Sequence, residues 1–265
     1  MLKAEVIEQV NLWAANATKG LIKEALSPEL LKNDTMLILT NALYFKGVWS
    51  ERYKFDVTLT KDRSFYLLNG QTISTPFMTK RVPRYHYGNF NGCKVLKIPY
   101  EDYSDRTHFS MYFFLPEEKD GIKSLIEKLN DDNVLFERHF DLKYEVLDAL
   151  WIPKFKFSCQ INASDTMKEL GLTRPFMAVK ELTGIVDSPE SEIMYVDKIL
   201  QKACIEVNEE GTEAAAVTVC LIGGGGCCPP SPTFIADHPF MFVIREDISG
   251  ALLFVGAVLD PSKST

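Results

Sequence analysis

No run of apolar residues in this chain approaches the ~20 that a membrane-spanning helix needs. The opening stretch MLKAEVIEQVNLW also has neither the apolar segment nor the small-residue cleavage site of a secretory leader, so a cytoplasmic address is expected. Basic clusters are missing as well. The 29 Lys and Arg stand against 36 Asp and Glu, a formal net charge of -7, which argues against a nucleic-acid backbone or an anionic membrane surface as partner. The six cysteines, Cys93, Cys159, Cys204, Cys220, Cys227 and Cys228, lack the dense spacing of a disulfide scaffold, so free thiols are expected. The four histidines, His86, His108, His139 and His238, are far apart, and none sits in a metal-ligand spacing. They read as structural or surface residues, and no metal or cofactor is expected. No Gly-x-Ser-x-Gly elbow surrounds a serine, and the glycine run at 223–226 continues into Cys-Cys-Pro-Pro instead of the Gly-Lys-Ser/Thr of a phosphate loop. A turnover enzyme is not indicated.

What is present is an ordinary globular composition, 46% hydrophobic and 25% charged over 265 residues, without internal repeat or domain linker. Val6, Val10, Trp13, Ala14, Ala17 and Leu21 recur at helical spacing and predict an amphipathic helix. TMLILTNALYFKGVW reads as a strand covered on both faces. Residues 53–116 alternate short β-like runs with turns. Ile122, Leu125, Ile126 and Leu129 mark a short amphipathic helix, and SDTMKELG a second one, capped by Ser164 or Asp165 and ended by Gly171. YEVLDALWIPKFKF reads as one long strand with a bulge at Pro153, and MYVDKILQKACIEVNEE as another. HPFMFVIRE and GALLFVGAVLD form two strands around a turn at 247–250. The fold class is α+β with mostly antiparallel sheets.

The stretch NEEGTEAAAVTVCLIGGGGCCPP, residues 208–230, stands apart. In an extended chain Thr212, Ala214, Ala216 and Thr218 share one face, all small and uncharged, a face that could enter a packed sheet. Alanine equally favours a helix, and spacing alone leaves the two readings level.

TNALYFKGVW, LWIPKFKF, MKELGLTRPF, IEVNEEGTEAAA, ADHPFMFVIRE and LLFVGAVLDP, in that order, resemble the C-terminal two-thirds of a serpin, and most of all the plant Z-type members. The resemblance implies one serpin domain over 1–265, with large mostly antiparallel sheets, covering helices and an exposed reactive-centre loop at about 209–233. It implies a suicide inhibitor whose partner is a serine or papain-like cysteine endopeptidase. Cleavage of the loop is followed by its insertion as a new central strand, driven by released strain. Carried over residue by residue, Glu210, Gly211, Thr212, Glu213, Ala214, Ala215 and Ala216 form the hinge. The cleaved bond falls at Gly225–Gly226, with Leu221, Ile222 and Cys227 as alternatives. Asn41, Trp49 and Gln201 match the sheet-opening region, where the bland readings are a buried amide for Asn41 and a core aromatic for Trp49.

The chain departs from the family pattern in three respects. Glycine at the cleavage point offers no side chain to a protease pocket. Gln201 stands where inhibitory relatives usually carry a histidine. Roughly the first third of a usual serpin is absent. The family is monomeric, but strand edges normally covered are expected to be open here, favouring aggregation or a partner chain. Many relatives are extracellular. The rival expectation is a non-inhibitory, truncated serpin that is only a substrate or an interaction module.

Overall fold

In a computed structural model, the described residues are 3–32, 34–81, 84–90, 92–102, 107–131, 140–178, 180, 182–211 and 231–263. They form two compact units, one holding 1–45 and 157–205, the other 46–156 and 206–264. Among the described residues no helix is long and apolar enough to cross a membrane.

In the first unit, α1 (Lys3–Ala17) presents Val10, Asn11, Ala14 and then Thr18 along one stripe. Ala14, Ile22, Ala25 and Cys204 close a small core, with Val10, Leu21 and Ala42 at its margin. The helix stops short of the expected Leu21. Thr18 Oγ1 donates to Ala14 O (2.7 Å) and accepts from Ile22 N (2.9 Å), and Lys19 and Gly20 turn left-handed at φ 52 and 82. Trp13, expected on the covered face, is 47% exposed. The cause is Asn11, whose Oδ1 accepts the N–H groups of Ala25 and Leu26 while Nδ2 donates to Leu26 O. That anchor turns the stripe containing residues 10, 11 and 14 toward the returning chain and leaves Trp13 outside it.

β1 (Leu37–Phe45) pairs in parallel with β10 (Val196–Val207), from Leu37↔Val196 to Phe45↔Ile205, and β9 (Phe155–Asn162) lies on the far side of β10. The expectation of a strand covered on both faces is overturned, since none of the nine residues of β1 is fully buried and Leu39 is 46% exposed. Among the described residues β1 is the edge of this sheet. α3 (Ser164–Glu169) is not capped by its own Ser164 or Asp165. Asn162 Oδ1 accepts both the N–H and the Oγ–H of Ser164, and Ser164 Oγ accepts Ile199 N–H, tying the helix to β10. Gly171, at φ 93, ends it as expected.

The second unit holds a six-stranded antiparallel sheet in the order β13-β12-β6-β5-β4-β7. Its strands are β4 (Arg84–Phe90), β5 (Cys93–Pro99), β6 (Phe109–Pro116), β7 (Lys143–Val146), β12 (Phe240–Glu246) and β13 (Leu252–Val258). α2 (Ile122–Asp131) buries Ile122, Leu125 and Leu129 against Val95, Tyr112, Phe114, Met241 and Val243 on one face. Ile126, expected on the same stripe, is 43% exposed, so the covered stripe is narrower than its sequence spacing implied. A four-stranded sheet, order β11-β8-β3-β2, comprises β2 (Lys61–Tyr66), β3 (Thr72–Met78), β8 (Ala149–Pro153) and β11 (Thr233–Ile235).

The one long strand expected over YEVLDALWIPKFKF is in fact β7, β8 and the start of β9, each in a different sheet. Pro153 ends β8 opposite Phe77, because a proline contributes no N–H to continue the ladder. Lys154 N then donates to Pro76 O. Asp148, in the earlier break, donates to Pro232 O.

Candidate functional site

β10 leaves its sheet through a tight turn, Asn208-Glu209-Glu210-Gly211. Gly211 N donates to Asn208 O (3.3 Å), and Asn208 Oδ1 accepts Glu210 N–H (3.1 Å). Asn at the first place of a turn and Gly at the fourth are the residues this geometry selects. Gly211 sits at φ +78, and a Cβ built on it would lie 2.3 Å from Gly47 O and 2.4 Å from Trp49 N. Only glycine fits.

Trp49, fully buried, holds the turn at two points: its backbone N–H donates to Glu210 O (2.9 Å) and its indole Nε1 to Asn208 O (2.9 Å). The indole stacks on Tyr100 at 4.6 Å and meets the edge of Phe55 at 6.4 Å, so the clamp rests on aromatic packing. The core-aromatic reading of Trp49 therefore describes its packing.

Glu209 is the third element. Its backbone O accepts Phe55 N–H (2.9 Å), while its nearly buried carboxylate takes Lys154 Nζ (2.8 Å) on Oε2 and Thr60 Oγ1 (2.7 Å) on Oε1. Burial by itself pushes the carboxyl up. The Lys154 and Thr60 bonds outweigh that and hold it below the usual glutamate range. The folded-state pKa lies below the unfolded one, so the stabilisation is fully present above the unfolded value of ~4.3 and lost as pH falls through the folded value. Glu209→Gln is therefore expected to cost about 2 kcal/mol at neutral pH, part of a buried pair's worth because Lys154 is partly exposed, and progressively less as pH falls below the unfolded value. Urea unfolding of both proteins across this range checks it; a difference that does not change with pH would remove Glu209 as the cause.

The expected site residues are distributed between the units. Glu210 and Gly211 are joined to Trp49 as described. Asn41 and Gln201 face each other across the β1–β10 register in the other unit. Asn41 is exposed at the open edge, which corrects its reading as a buried amide. Thr212, Glu213, Ala214, Ala215, Ala216 and the bond Gly225–Gly226 lie outside the described residues, as do Cys220, Cys227, Cys228 and His139. Asn208, Glu209, Lys154 and Thr60 had not been singled out. The Asn-x-x-Gly spacing was the one local signal for the turn; nothing local announces a partner for Glu209 55 residues away at Lys154.

Three of the four histidines lie among the described residues. His238 is buried between Asp237 Oδ1 and Pro116 O, both at 2.8 Å. His108 pairs with Asp102 at the surface, and His86 in β4 is pushed down by burial and by Lys97. Cys93, Cys159 and Cys204 form no disulfide, and burial pushes the Cys93 thiol up to about 12, which keeps it in the poorly nucleophilic protonated form at neutral pH. Among the described residues no cluster of His, Cys, Asp and Glu could hold a metal ion.

The family model described as serpin (serine protease inhibitor) matches residues 2–261. Serpin-Z3 of Arabidopsis thaliana is 48% identical over 98% of this chain and 67% of its own length, and Serpin-ZXA of Oryza sativa subsp. japonica is 46% identical over 97% and 64%. This chain thus spans about two thirds of the length of these relatives. The solved structure of Arabidopsis AtSerpin1 in its native stressed conformation superposes with a TM-score of 0.80 at 41% identity, covering 98% of this chain and 66% of that one. Uncleaved ovalbumin shares the fold at 24% identity and a TM-score of 0.77, over 97% of this chain and 63% of its own. On a family match across nearly its whole length and relatives almost half identical, the chain belongs to the serpin family.

Proposed function

We propose that this chain is a suicide inhibitor of serine endopeptidases, with papain-like cysteine endopeptidases as a second target class. In this reading 209–233 is the reactive loop and Gly225–Gly226 the cleaved bond. The observation that carries it is the direct parallel pairing of β1 with β10, continuous from Ile38↔Lys198 to Phe45↔Ile205 after one register shift at Leu37, with no strand between them. β10 continues into the Asn208–Gly211 turn, which reverses the chain. A segment leaving that turn and slipping between β1 and β10 runs antiparallel to both, replacing one parallel ladder by two antiparallel ones, the stronger kind per residue. If ~10 additional backbone hydrogen bonds form at ~0.5–1.5 kcal/mol each, insertion gains ~5–15 kcal/mol before ordering costs, comparable with a whole domain's stability. The likeness to AtSerpin1 in its stressed conformation supports the same uncleaved arrangement here.

The non-inhibitory reading has its own support, in the glycines flanking the bond and in Gln201. Incubation with elastase-like, chymotrypsin-like and papain-like proteases separates the readings. The expected result is a covalent complex that survives denaturing electrophoresis. Clean cleavage within 220–228 without a complex would make the chain a substrate, and resistance to cutting would make the segment a display element.

A further inference from the structure

We propose that Asn69–Gly70 is a modification site, at which the folded protein converts its own asparagine into aspartate and isoaspartate in water, without an enzyme. The reacting atoms lie in the hairpin that joins β2 to β3. Leu67 N donates to Gln71 O (2.8 Å) and Gly70 N to Leu67 O (3.0 Å), closing a tight turn. Asn69 Oδ1 accepts Gln71 N–H and Nδ2 donates to Gln71 Oε1, both at 3.0 Å. The Gln71 N–H thus polarises the carbonyl to be attacked and favours negative charge building on its oxygen. The nucleophile is the next backbone nitrogen. Gly70 offers it without hindrance, since it carries no Cβ and nothing lies within 4 Å of where one would stand.

The step is an internal amide exchange. Gly70 N bonds to Asn69 Cγ and gives up its proton, the Cγ–Nδ2 bond breaks, and Nδ2 leaves as ammonia with that proton. Water then opens the five-membered imide at either carbonyl. Opening at the side-chain carbonyl leaves aspartate; opening at the backbone carbonyl sends the main chain through Cγ as isoaspartate. Both products add one negative charge to the formal -7. Isoaspartate also lengthens the backbone by one carbon, in the turn whose two closing bonds stand at the Tyr66↔Thr72 end of the β2–β3 ladder.

Asn208 is the matched comparison within the chain. Its Oδ1 accepts Glu210 N–H (3.1 Å), the same reach of two residues, but the attacking nitrogen there belongs to Glu209, whose side chain is fastened by Lys154 and Thr60. Peptide mass mapping of the full chain during incubation in mildly alkaline buffer tests the difference. The expected result is the mass gain of an NH2-to-OH exchange at Asn69, part of it labelled as isoaspartate by a protein isoaspartate methyltransferase, while Asn208 stays intact. Asn69→Gln is expected to lose the signal at this position, because the longer side chain would have to close a less favourable six-membered ring. A parallel incubation in urea separates sequence from fold. Modification of Asn69 in urea but not in the native protein would show that the bond from Gly70 N to Leu67 O protects the site and would overturn the proposal. Equal modification of Asn69 and Asn208 in the native protein, or none at Asn69 in either incubation, would overturn it too.

Discussion

Thr212→Arg is expected to abolish the covalent protease complex while leaving the loop as cleavable as before. In the proposed mechanism two events compete after the first cut: hydrolysis of the acyl link, which frees the protease, and insertion of the severed segment between β1 and β10, which traps it. In that mechanism the inserting segment would start just beyond the Asn208–Gly211 turn, which would make Thr212 the first side chain to pass between the strands. In an extended segment Thr212, Ala214, Ala216 and Thr218 would share one face without charge. Arginine there would carry an unpaired charge into the sheet, at a cost of several kcal/mol. A penalty of ~3 kcal/mol on the insertion barrier slows that branch more than 100-fold, enough to let hydrolysis win. Mixing variant and parent with the same protease and counting covalent complex per loop cut reads this partition. A variant that forms complex at the parent's rate shows that the face has been assigned wrongly; a parent that forms none returns the chain to the non-inhibitory reading.

The sequence disclosed elements whose stabilising contacts are local or periodic. β10, β12 and β13 were legible as apolar runs between turn residues, Gly171 as the end of a helix and 247–250 as a turn; both glycines prove to be left-handed. What it concealed depends on distant partners. Nothing in YEVLDALWIPKFKF says that its three parts join three sheets, because each finds its neighbour elsewhere in the chain; Pro153 marks only that the ladder must stop. The helical period around Trp13 was real, but one half-buried amide, Asn11, decided which stripe was covered. The bland reading of Asn41 was a buried amide, whereas among the described residues β1 has a neighbour on one side only and Asn41 is exposed. At the site, motif resemblance reached Gly211 and Trp49 but not the hydrogen bonds joining them. Glu209 had not been singled out, because its partners Lys154 and Thr60 come from distant parts of the chain.

Gly211→Ala, one added methyl group, is expected to destabilise the second unit out of proportion to its size. Two penalties coincide at this residue. An L-residue at φ +78 bears a backbone cost of ~1 kcal/mol, and the new Cβ would stand 2.3 Å from Gly47 O, 2.4 Å from Trp49 N and 2.7 Å from Val48 Cα. All three are backbone atoms, so no side chain can swing aside to make room. The turn must retreat from Trp49, breaking the bond from Trp49 N to Glu210 O and straining that from Nε1 to Asn208 O. With Trp49 fully buried, each polar group left without a partner costs ~1–3 kcal/mol. A total near 4 kcal/mol lowers the melting temperature by roughly 10 °C for a chain of this size. Trp49 provides a second, local readout: its fluorescence is expected to shift to longer wavelength as the indole gains access to water. Gly70→Ala is the control, since Gly70 shares a positive φ of 82 but has no atom within 4 Å of the added Cβ. It should register the backbone cost alone, ~1 kcal/mol. If the two alanines prove equally costly, the close approach of Gly47 and Trp49 contributes nothing and the clamp does not hold the base of the loop.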